Sequence, residues 1–143
     1  MQLTYATTEL RRMAAQILAQ AAHQAALSEG IAVAVVVVDT GGHPILVDRM
    51  DGAATCAVPL AQSKAETAAA TQSATDMWFQ STQPGAADWG MNTALGGKYN
   101  AMPGGLPVEI SGVVVGAIGV SGGSAVQDVL CARAALDALA KAD

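Results

Sequence analysis

With 143 residues, 52% of them apolar, the chain suffices for one domain with a real core and falls short of two. Only 3% of its residues are aromatic, so that core has to be built from Ala, Val, Leu and Ile. A formal net charge of −5 and the lack of any basic run exclude nucleic-acid binding by phosphate neutralisation.

Taken in chain order, residues 7–28 predict a first helix with Thr4 or Thr7 as N-cap. Leu10, Met13, Ala14, Ile17, Ala21 and Ala25 recur at helical spacing and define an apolar stripe. Glu9, Arg12, Gln16, Gln20 and His23 fall on the opposite face, which turns His23 toward water or another subunit. Gly30 supplies the C-terminal stop. The N-terminal MQLTYATTELRR has no basic region followed by an apolar core, and no apolar run reaches membrane-span length. A cytoplasmic soluble domain is the expectation.

Residues 32–38 form a continuous Ala/Val run, a strand that needs cover on both faces. Asp39-Thr40-Gly41-Gly42-His43-Pro44 is a turn, and a second strand over 45–51 completes a hairpin. In that strand Ile45, Val47, Arg49 and Asp51 share one face, Leu46, Asp48 and Met50 the other. Residues 57–71 predict an alanine-rich second helix. Lys64 lies on its small apolar face with Ala57, Leu60, Ala61, Ala68 and Thr71. A lysine on a packing face needs a counter-ion or an anionic ligand, since burial without one costs several kcal/mol. Asp39 and Asp51 are the nearest candidates by topology. A lysine that snorkels to solvent is the bland alternative.

Between 72 and 102 the periodicity disappears, and four of the five aromatic residues gather there: Trp78, Phe79, Trp89 and Tyr99. Short helices over 75–80 and 86–94 are the only regular elements expected. Such a segment serves as a lid, a pocket wall or a subunit contact, or simply pins itself to the core. The stretch from Gly104 to Asp128 then reads as a strand, a tight turn at Ser111-Gly112, a second strand over 113–120 buried on both faces, and a glycine elbow. The elbow, Ser121-Gly122-Gly123-Ser124, aims backbone N–H groups and a helix N-terminus at one point, the geometry of an anion cradle. Equally, its glycines suit a plain strand-to-helix turn. The last helix spans 125–140, with Ser124 and Gln127 at capping-box spacing and Asp128 placed to favour the helix dipole. Cys56 and Cys131 show no metal-ligand spacing and read as buried small apolar residues.

Residues 35–53 (VVVVDTGGHPILVDRMDGA), 61–70 (AQSKAETAAA) and 104–128 together resemble the GlcG/HbpS-like family of haem-degrading-domain proteins. The C-terminal domain of PduO-type corrinoid adenosyltransferases is similar. The resemblance implies an α/β profilin-like sandwich, an antiparallel sheet of about five strands with helices on both faces, in one domain over 1–143. It also implies homo-oligomers, from dimer to octamer, and haem or another tetrapyrrole as ligand. His23 and His43 are the candidate iron ligands, with Met50, Cys56 and Cys131 behind them, and Arg11, Arg12 and Lys98 are the basic residues on hand for propionates. The absence of CxxCH excludes covalent haem.

Two further readings stand beside this one. In the first, a small cofactor-independent enzyme acts on a carboxylated or carbonyl metabolite. Lys64, Arg49, Asp39 and Asp51 then form its polar centre, the N–H groups of Gly122 and Gly123 beside Ser121 steady negative charge, and Trp78, Trp89 and Tyr99 shape the pocket. In the second, the chain is a structural assembly partner, and the same charged group holds the second helix to the sheet.

Overall fold

The computed structural model describes residues 1–142. Four antiparallel strands form one sheet in the order β2-β1-β4-β3: β1 (Ala34–Val38), β2 (Pro44–Arg49), β3 (Gly105–Ile110) and β4 (Val113–Ser121). Helix α2 (Ala57–Thr71) covers one face; α1 (Arg12–Ser28) and α4 (Ala125–Ala142) cover the other. The α/β sandwich is therefore as expected, with four strands among the described residues where about five were anticipated.

The apolar runs dictate the centre of the sheet. Every residue of β1 is buried, as are the last seven of β4, and the two strands pair directly. Val35 and Val37 face α1 and α4, whereas Ala34, Val36 and Val38 face α2. Ser111 and Gly112 both take positive φ, which closes the β3–β4 hairpin in two residues with the twist the strands require. In β2, Leu46 and Asp48 lie opposite Val37 and Val35 and so point to the α1 side, as the alternation predicts. A bulge at the β1–β2 register, where Val38 meets Pro44, turns Ile45 onto that side too.

Helix α1 departs from its sequence pattern in two ways. It begins at Arg12 rather than near Thr7, and Arg11 stands at the N-cap in extended conformation without a side-chain cap. The preceding residues are held elsewhere: Leu10 donates its N–H to the Val115 carbonyl (3.1 Å), at a bulge in the β3–β4 pairing. The buried stripe is Ala15, Leu18, Ala19, Ala22 and Ala26, one position on from the expected one, and Met13 is exposed. Ala15, Ala19, Ala22 and Ala26 flank the expected stripe and can be buried in its place, so contact with α4 and the sheet decides the rotation. Gly30, in the left-handed region, ends it as expected.

Helix α2 has its predicted limits and packs on β4 through small residues alone. A Cβ at Gly119 would overlap the Ala61 carbonyl oxygen, and one at Gly105 would press on the Lys64 carbonyl and the Thr75 methyl. Neither glycine is needed for its backbone angles; each is needed for the close approach. The segment over 72–104 carries single 3₁₀ turns at Thr75–Trp78 and Met91–Thr93 and a short α3 (Ala94–Gly97), with no helix over 86–90. Cys131 is buried as expected, but Cys56 is exposed at the N-cap of α2. Gly119→Ala should destabilise the fold by about 1–3 kcal/mol through overpacking, read as a lower midpoint in chemical denaturation with the oligomeric state held constant.

Candidate functional site

Lys64 is buried on the packing face of α2, as its position in the sequence predicts, but its partner is different. Its ammonium donates to Asp128 Oδ2 at 2.8 Å and to the Val120 carbonyl at 2.9 Å. Both side chains are nearly sealed, 4% and 5% exposed. Gly104 lies directly over the pair, where a Cβ would come within 3.0 Å of both Lys64 Nζ and the Asp128 Cβ. Asp39 and Asp51, the expected counter-ions, are elsewhere. Asp39 follows Val38, the last residue of β1, which pairs with Ala117, three residues along β4 from Val120; Asp51 is exposed in the turn after β2. Arg49 lies exposed on the edge strand. Lys64, Arg49, Asp39 and Asp51 therefore do not converge on one centre.

The elbow is occupied from within. The Gly123 N–H donates to Asp128 Oδ1 at 2.9 Å, and Ser124 and Gln127 form a reciprocal capping box. Gly122 has φ 144° and its Cα sits against the Ala32 carbonyl, so any side chain there would collide with β1's approach. Ser121 is buried at the end of β4. The Gly123 N–H, expected to help cradle an external anion, instead holds the carboxylate that binds Lys64, and the Ser124 N–H goes to Gln127.

Three aromatic residues assigned to a pocket wall are also accounted for. Trp78 is half-buried and bonds Ser73 Oγ through Nε1 (3.0 Å), whereas Trp89 is exposed. Tyr99 is half-buried; burial, with Asp88 nearby, raises its hydroxyl above the ordinary value. Polar residues passed over in the sequence fasten this segment. Thr67 Oγ1 accepts from the Asn100 N–H, Asn100 Nδ2 donates to Ser63 Oγ, and Thr75 exchanges hydrogen bonds with Met102 and Gly105. Buried Thr and Asn flanking an aperiodic stretch were the available signal.

Two histidines remain, each in its own groove. His23 is not on the exposed face; rotation of α1 leaves its side chain 18% exposed, against β2. Nδ1 faces Asp48 Oδ2 at 3.8 Å, and Nε2 is buried with no hydrogen-bond partner among the described residues. The surrounding groove, about 440 Å³, is walled by Ala19, Leu27, Leu46 and Met50 and rimmed by Gln16, Gln20 and Gln24. Met50 does not offer its sulfur freely, because Sδ accepts the Val33 N–H at 3.4 Å. Cys131 is buried, and burial, with Asp128 and Glu29 nearby, pushes its thiol up to about 11.

His43 is exposed and leans on Asp39, with Nδ1 3.2 Å from both carboxylate oxygens. Asp39 also accepts the N–H groups of Gly41 and His43. Partial burial raises the Asp39 carboxyl, but the bonds from His43 and Gly41 more than offset this and hold it below the ordinary value. A groove of about 460 Å³ separates this turn from Gln62, Glu66 and Lys98. Among the described residues no group of three metal-ligating side chains is present, and no helix is long and apolar enough to cross a membrane.

Two outcomes follow from these geometries. Lys64→Met leaves Asp128 buried without its cation and should cost about 3–5 kcal/mol, with Lys64→Met/Asp128→Leu recovering much of it in a double-mutant cycle by denaturation. Because folding depresses Asp39, its contribution is full above the ordinary carboxylate range and fades as pH falls through the lowered folded value. Asp39→Asn should therefore flatten the acid limb of a stability-against-pH curve.

Comparison with known proteins agrees with the motifs. An uncharacterised 15.0 kDa protein from the dhaT-dhaS intergenic region of Citrobacter freundii is 40% identical over 124 residues, 87% of each chain. The structure of Klebsiella pneumoniae protein ORFY superposes with a TM-score of 0.95 at 34% identity, covering 98% of this chain and 97% of that one. A PduOC:heme complex superposes at 0.87, again 34% identical, over 92% and 95% of the respective chains. The family model described as haem degrading protein HbpS-like matches residues 10–137, and this chain belongs to that HbpS-like family.

Proposed function

We propose that this protein binds haem or a related tetrapyrrole in the groove between α1 and β2, with His23 as the iron ligand. The observation that carries the reading is the buried Nε2 of His23. A polar nitrogen sealed in protein without a partner costs on the order of 1–3 kcal/mol, and a structure tolerates that cost where the atom has another use. A carboxylate 3.8 Å from Nδ1 favours the tautomer that leaves the Nε2 lone pair available to a metal once the ring turns outward. The groove supplies apolar walls from Leu27, Leu46 and Met50 for a flat macrocycle and glutamine amides at its rim. A resemblance to a protein solved with heme adds to the reading.

Haem, when bound, supplies redox and ligand-binding chemistry at its iron. The chain's own part is to orient His23 through Asp48, to exclude water with the Leu27–Leu46 wall, and to turn the ring outward so that Nε2 leaves its seal. A groove of this depth covers one side of a macrocycle, so a second subunit of a homo-oligomer would close the other. Lys64 and Asp128 serve in this reading as the internal tie of the fold. His43, exposed beside Asp39, is the competing ligand.

Titration of purified protein with hemin should give a shifted Soret band that His23→Ala abolishes and His43→Ala leaves in place. Asp48→Asn should weaken binding about tenfold. A titration unchanged in His23→Ala would overturn the assignment, and loss in His43→Ala alone would move it to the other groove.

A further inference from the structure

The packed domain begins at Leu10, and residues 1–9 are all exposed. Met1, Leu3 and Tyr5 stand at alternate positions, so an extended segment carries all three on one side and Gln2 and Thr4 on the other. Leu3 is 79% and Tyr5 85% exposed. The root of this arm is fixed. Glu9 accepts from both the N–H and the hydroxyl of Thr40, and the Leu10 N–H is held by Val115.

Beside that root opens an apolar groove of about 580 Å³ between the start of α1, the β3–β4 turn and the end of α4. Met13, Ile17, Ile110, Val113 and Leu139 form its apolar walls, Met13 and Val113 being largely exposed, and Thr8, Glu9 and Arg11 at the arm's root complete the lining. One end of the sheet thus presents an apolar arm with nothing beneath it and an apolar groove with nothing over it. Residues 1–7 do not enter the groove, although it starts at their own root at Thr8.

We propose that residues 1–7 of one subunit fill this groove on a second copy of the chain, reciprocally, in a two-fold dimer. Arm root and groove are adjacent, so a two-fold axis beside them delivers each arm to the other copy's groove without a long crossing. Seven extended residues reach at most about 25 Å, enough to cross such an axis. Residues 1–7 carry no charged side chain, so seating them adds none to a groove whose charged lining residues are Glu9 and Arg11. The occupied groove is separate from that of His23, which faces β2, and the inference does not depend on tetrapyrrole binding.

Sedimentation equilibrium on three full-length chains tests it: the unmodified protein, Leu3→Asp/Tyr5→Asp and Val113→Arg, with circular dichroism confirming that each is folded. Both variants should dissociate with a constant raised about tenfold or more. An equimolar mixture of the two should recover association, because the intact arm of one meets the intact groove of the other. A monomeric unmodified chain, an arm variant of unchanged mass, or a mixture no tighter than its components overturns the proposal. An arm that packs on its own subunit would show itself as lost thermal stability at constant mass, which also overturns it.

Discussion

Lys64 reaches from α2 around the end of β4 to Asp128 in α4, and that contact joins the two helical layers of the sandwich. The ammonium also takes the Val120 carbonyl, and the other carboxylate oxygen takes the Gly123 N–H. Helix, strand end, elbow and second helix are therefore fastened at one point. A charge pair so deeply buried is stable only when its remaining hydrogen-bonding capacity is used, and here two of those bonds are supplied by backbone. Gly104 and Gly122 follow from the same constraint, since each keeps side-chain volume out of a closely packed strand end.

Small residues make that geometry reachable. Ala61, Ala65 and Ala68 lie on Gly119 and Ala117, so α2 approaches the sheet closely enough for a lysine at its middle to reach past β4. A core of this kind buries little area per residue and has few large side chains to fix helix orientation. The rotation of α1 shows the consequence. Its alanines let the neighbouring stripe be buried instead, and a shift of one position moved His23 from solvent to a half-buried place against Asp48. The groove proposed to receive a tetrapyrrole exists because of that rotation.

The polar elements divide by purpose. Thr67, Thr75 and Asn100 satisfy buried backbone around the aperiodic segment and leave nothing pointing outward. Asp39 organises its own turn and holds His43 over Gly41, where a side chain would displace the ring. His23 differs from all of these in keeping a buried nitrogen without a partner. That contrast sets His23 apart from the groups whose hydrogen bonds are all used inside the fold.

Short-range rules made much of this protein legible from its residues. The limits of α2, the buried strand β1, the buried run of β4 beyond its exposed first residue Val113, the hairpin at Ser111-Gly112, the capping box at Ser124 and the buried position of Lys64 all depend on neighbours within a few residues. The family, too, was readable from three contiguous motifs. Only the tertiary structure could decide which acid meets Lys64, because Asp128 lies 64 residues away and hairpin adjacency favoured Asp39 and Asp51. The same holds for the face α1 buries and for the carboxylate that fills the glycine elbow. Local sequence sets backbone preference and periodicity; which long-range partner occupies a buried polar site depends on how the layers stack, and that is a property of the whole chain.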